Sequence, residues 1–193
     1  MQTAQRSVMI VSKSSKMVEF IRSAAPQDRF SPVLVVSSAG EARRVLLMKP
    51  VDIVLIHTPL PDEFGTKLAR DISGQCAVAV IVKPELAEKT AYKLEPFGVV
   101  TLPSVLHRSV LHQTVMLLSS SVAKMERLRR NSEDIKKKLR EFRTVARAKT
   151  LLISERGMTD EQAHRYIEKT AMDSGRKKTD IAEELIESLS GEE

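Results

Sequence analysis

Two groups of residues in this chain have the type and placement to do chemistry. The first is His57, which follows the apolar run Ile53–Ile56 and precedes a turn carrying Pro59 and Pro61. Imidazole is both a nucleophile and a proton carrier near neutral pH. A residue at the end of a buried strand faces the crevice where open α/β sheets place their ligands. The second is a block of cations between residues 124 and 149, where 11 Lys and Arg stand against 4 Asp and Glu. Such a block suits a polyanion, although a basic run is more often one solvated helix face. Other chemistries lack their residues. There is no Gly-rich phosphate loop, no Ser/His/Asp arrangement and no His/Cys/carboxylate spacing for a metal. Cys76 is the single cysteine, which excludes an internal disulfide and a Cys-based zinc site. No enzyme activity, metal or cofactor is expected.

The elements that must position these residues follow from hydrophobic pattern. The apolar runs Val8–Val11, Val33–Val36, Ile53–Ile56, Ala77–Val82 and Val99–Leu102 alternate with stretches of helical periodicity. Near-continuous Val/Ile runs mark strands buried on both faces, the pattern of a parallel sheet covered by helices. Five such units over residues 1–120 predict a flavodoxin-like α/β domain with strand order 2-1-3-4-5. Pro61 and Asp62 are expected to open the helix after the third strand.

This frame resembles the receiver domain of bacterial response regulators, but the polar positions depart from it. Phosphorylatable receivers carry two acidic residues after strand 1, where this chain has Ser12 and Lys13. They carry the phospho-accepting Asp at the end of strand 3, where His57 stands. Val82 and Lys83 replace the Ser or Thr after strand 4, and Leu102 replaces the Lys before Pro103. Aspartyl phosphate needs a carboxylate nucleophile and oxygen ligands for Mg²⁺. The resemblance therefore implies a pseudo-receiver, with His57 at a degenerate phospho-acceptor position and satisfied by backbone. Such a domain remains useful for binding a regulatory protein or a small ligand.

From Ser104 to Arg156 there is neither Pro nor Gly. One helix of that length would run about 75 Å, with Ser104 as its expected cap. Leu111, Val115, Leu118, Val122 and Met125 follow a 4-3-4-3 spacing, the seam of a coiled coil. After a phase slip at Leu128 the seam resumes at Ile135, Leu139, Phe142 and Ala146. Its early part also suits a fifth helix covering the sheet. Residues 121–142 are expected to form a coiled-coil linker and a homodimer. Beyond it, Gly157 is a C-cap candidate, Thr159 and Gln162 form a capping-box pattern, and a third helix starts near Thr179. Residues 143–193 thus read as a small three-helix C-terminal bundle whose first helix ends the long one. Tyr166 is expected in its core, and Arg165 in solvent.

The bundle resembles the ANTAR domain of bacterial transcription antiterminators. The resemblance rests on Arg147-Ala148-Lys149, Leu151-Leu152, Gly157-Met158-Thr159, Glu161-Gln162-Ala163, Ala171-Met172, Arg176-Lys177 and Asp180-Ile181-Ala182. Ile153 departs conservatively from the Met common in the family. The resemblance implies binding of paired hairpins in nascent leader RNA, which prevents a terminator from forming. It points to Lys149 first, with Arg147, Arg176, Lys177 and Lys178 as further RNA contacts. Ala148 would allow close backbone approach or pack in the core. Aromatic residues are few, so recognition is expected to rest on cations more than on stacking. A protein-binding adaptor without RNA is the alternative. Val8–Val11 is too short for a secretory signal or a membrane span, so a cytoplasmic protein is expected.

Overall fold

The computed structural model describes residues 5–190. Five strands, β1 (Arg6–Val11), β2 (Phe30–Val36), β3 (Ile53–His57), β4 (Ala77–Val82) and β5 (Val100–Pro103), form one parallel sheet in the order β2-β1-β3-β4-β5. The register aligns Val8 with Ile53, Ile53 with Ala77, and Ala79 with Val100. Helices α1 (Ser15–Ala24), α2 (Ala39–Met48), α3 (Thr66–Ile72) and α4 (Pro84–Leu94) alternate with the strands. A long helix, α5 (Arg108–Arg156), and two shorter ones, α6 (Asp160–Ser174) and α7 (Lys178–Ser190), complete the chain. The chain divides into two compact units, one up to Glu126 and one from Arg127 on. No helix among the described residues is long and apolar enough to cross a membrane.

The first unit buries both faces of its sheet, as the unbroken Val/Ile runs require. Met9, Val54, Ile56, Val78 and Val80 pack with Ala42 of α2, Leu68 of α3 and Leu94 of α4. The alternate residues Val8, Ile10, Leu55, Ala79 and Ile81 pack with Ile21 of α1 and with Leu111, Val115, Leu118 and Val122 of α5. The first half of the expected coiled-coil seam is therefore the fifth covering helix of this domain. Four-three spacing defines an apolar stripe but does not say whether a sheet or a second helix covers it.

Two expected helix starts are corrected. Helix α3 begins at Thr66 behind Gly65, not at Pro61 and Asp62. Gly65 sits at φ 103°, and a Cβ there would lie 3.0 Å from Ile56 Cγ2, so the turn needs glycine. Asp62 serves another helix, because its carboxylate accepts from the Ala39 and Gly40 amides at 3.0 and 2.8 Å. Those bonds favour the anion and lower its pKa. Ser104 does not cap α5. Its amide donates to the Val82 carbonyl, and the helix starts four residues later at Arg108.

The second unit has a small core. Ala148 and Leu152 of α5, Ala163, Ile167 and Ala171 of α6, and Ile181, Ala182 and Leu185 of α7 are its buried members. Alanines let the three helices approach closely, while Leu152 and Ile167 fill the centre. The α5–α6 turn follows the sequence reading. Gly157 adopts φ 60°, and Thr159 and Gln162 form both halves of a capping box at 2.9 and 3.2 Å. Tyr166 departs from it, being partly exposed, with the Arg156 guanidinium 5.8 Å above its ring. Helix α6 leaves that ring at the bundle edge, where a cation covers it.

Candidate functional site

The strand ends of the first unit bring together Ser12, Lys13 and His57. Ser12 is almost fully buried, and its hydroxyl lies 3.1 Å from His57 Nδ1. The Ser14 amide also donates to Ser12 Oγ at 3.1 Å. The hydrogen bond to His57 Nδ1 thus comes from a hydroxyl side chain, where a backbone partner was expected. Burial, then the charge of Lys13, pushes its pKa below the usual imidazole value. The residue favours its neutral form and offers hydrogen bonding, not an anionic ligand. Among the described residues no group of three or more His, Cys, Asp or Glu is placed to hold a metal ion. The Cys76 thiol is buried, with its pKa pushed up to about 12, which leaves it unreactive. Incubation with acetyl phosphate and Mg²⁺ should therefore leave the intact mass unchanged. An added phosphoryl group that disappears in His57→Ala would contradict this assignment.

The cations of the second unit divide among several surfaces. Residues 147 and 149 are two apart on one helix, hence about 200° apart around its axis. Lys149 lines a groove of about 710 Å³ between α5 and the first turns of α6 and α7. Lys178 lines the same groove, with Lys138, Phe142, Ile153, Asp160 and His164 among its walls. Arg147 instead borders a depression of about 340 Å³ that holds Arg143, Glu183 and Glu187. Lys177 borders a third, of about 540 Å³, with Lys137, Arg140 and Asp180. Arg176 pairs with Glu184 at 2.7 Å. Ala148 has no exposed surface, so the structure assigns it to packing rather than to close approach of RNA. Arg165 is exposed and pairs with Glu161 at 2.6 Å, away from Lys149.

The groove also contains residues that sequence reading did not single out. Lys138 precedes Lys149 by eleven residues, three helical turns, so both fall on one face of α5. That spacing was present in the basic run and would have selected Lys138. His164 and Asp160 had no such signal, because they come from α6 and reach the groove only through the turn at Gly157.

Comparison with known proteins follows this division. The ANTAR domain family model matches residues 133–186. The transcriptional regulatory protein PdtaR of Mycobacterium tuberculosis is 25% identical over 170 residues, covering 80% of this chain and 78% of that protein. Among solved structures, the signal receiver domain of an HD domain-containing protein from Pseudomonas fluorescens has a TM-score of 0.58 at 16% identity. That match covers 66% of this chain and 96% of the other. The receiver domain of a LuxO repressor-like protein from Vibrio parahaemolyticus has a TM-score of 0.57 at 16% identity, covering 65% and 97%. These two likenesses establish the fold of the first unit. Residues 133–186 of the second unit match the ANTAR domain, and the first unit has the fold of a receiver domain with Ser12, Lys13 and His57 at its strand ends.

Proposed function

We propose that the chain is a dimeric RNA-binding regulator of transcription antitermination, which holds paired hairpins of a nascent leader transcript. The observation that carries this reading is the groove in the ANTAR-matched segment, where Lys138, Lys149 and Lys178 border an apolar floor. Unpaired loop bases offer apolar faces and polar edges, and their flanking phosphates suit lysines. PdtaR, a transcriptional regulatory protein by name, supports the same class. Lys149 and Lys178 are the leading contacts, with Arg147, Arg176 and Lys177 on flanking surfaces.

The dimer is proposed on the free part of α5. Leu128, Ile135, Leu139 and Phe142 lie along one stripe and are 55%, 67%, 47% and 72% exposed. Seam residues left in water favour a second copy of the same helix. Two copies present two modules to two hairpins, which raises affinity through effective concentration. The receiver-like domain then acts by binding a protein or ligand rather than by phosphotransfer. Sedimentation of the full chain with a two-hairpin leader RNA tests both parts. A dimer that carries the RNA with it is expected. A monomer, or RNA left behind, contradicts the proposal.

A further inference from the structure

Two of the three lysines that line the groove, Lys149 and Lys178, are already engaged. Lys149 Nζ lies 2.6 Å from Asp160 Oδ1, and only 21% of the Lys149 side chain is exposed. Lys178 pairs with Glu168, which also has His164 Nε2 at 3.4 Å. Hydrogen bonding and charge from Lys178, then the charge of His164, lower the Glu168 pKa and keep it anionic at neutral pH. Asp160 is not needed to close the start of α6, because Thr159 and Gln162 already satisfy the backbone there. Asp160 lines the groove itself, and Glu168, outside that lining, holds the ammonium of the groove residue Lys178.

We propose that Asp160 and Glu168 are built-in competitors for RNA phosphate, displaced from Lys149 and Lys178 on binding, and that they set the strength and salt response of the complex. This inference rests on the RNA reading above. When a free lysine meets a phosphate, the RNA releases condensed counterions, and the slope of log K against log salt steepens by about 0.7 per contact. When the lysine must first leave a carboxylate, that carboxylate gathers a cation from solution. The two ion movements nearly cancel, so the contact adds little to the slope. Phosphate contacts carry no sequence information, so cognate and unrelated hairpins are affected alike.

The test is a salt titration of RNA affinity on the full chain, with a two-hairpin leader and an unrelated hairpin of equal length. Asp160→Asn should tighten both by about threefold, the scale of one partly exposed ion pair. It should also steepen the salt slope by about 0.7. The double variant Asp160→Asn with Lys149→Ala should return the slope to that of the wild type. Asp173→Asn removes the same charge from an exposed position of α6 and should leave the slope unchanged. Wild-type binding with an unaltered slope in Asp160→Asn overturns the inference alone. An equal gain in Asp173→Asn also overturns it, by reducing the effect to net charge. Absence of RNA binding in both wild type and Asp160→Asn overturns the RNA reading, and the inference with it.

Discussion

Leu152→Ala should unfold the C-terminal bundle well below the temperature at which the wild-type bundle melts. Leu152 has no exposed surface and is one of the few large side chains in a core otherwise rich in alanine. Its truncation removes buried apolar atoms and leaves a cavity, a combined cost of about 2–5 kcal/mol. A unit of this size is stabilised by roughly the same amount, on the order of 0.05–0.15 kcal/mol per residue. Alanine is the best helix former, so the loss comes from packing rather than from α5 itself. Thermal unfolding followed by circular dichroism should show the bundle transition lowered by on the order of 15 °C. An unchanged transition would mean that Leu152 is not at the centre of this core.

The first unit was largely legible in the sequence because its strands are buried on both faces. A run such as Ala77–Val82 has no polar alternation, and all six residues prove buried. What could not be read was the use of polar residues across the fold. Asp62 resembles the start of the helix that follows it, yet its acceptors meet the amides of α2, 22 and 23 residues earlier. Periodicity along α5 likewise showed where apolar residues line up without showing their cover. Leu111 to Val122 face the sheet, whereas Leu128 to Phe142 face outward.

The site was legible as a composition and not as a geometry. The motif residues Arg147 and Lys149 are close in sequence but lie on different sides of α5, while Lys149 of α5 and Lys178 of α7 line one groove. The partners of those lysines were hidden for the same reason. Asp160 follows Lys149 by eleven residues, and only the left-handed turn at Gly157 brings α6 back alongside α5. Charge totals therefore located the surface, while the pairings within it depend on the tertiary fold.

If RNA binds at the groove through Lys149, as proposed, the affinity of the Lys149→Ala chain for a two-hairpin leader must fall. Removing this ammonium deletes one charged hydrogen bond to phosphate and leaves Asp160 facing the incoming anion. Binding about tenfold weaker than wild type is expected, with helical content unchanged because alanine sustains α5. Equal affinity in the two proteins, or a wild type that does not bind the hairpins, would contradict the proposal.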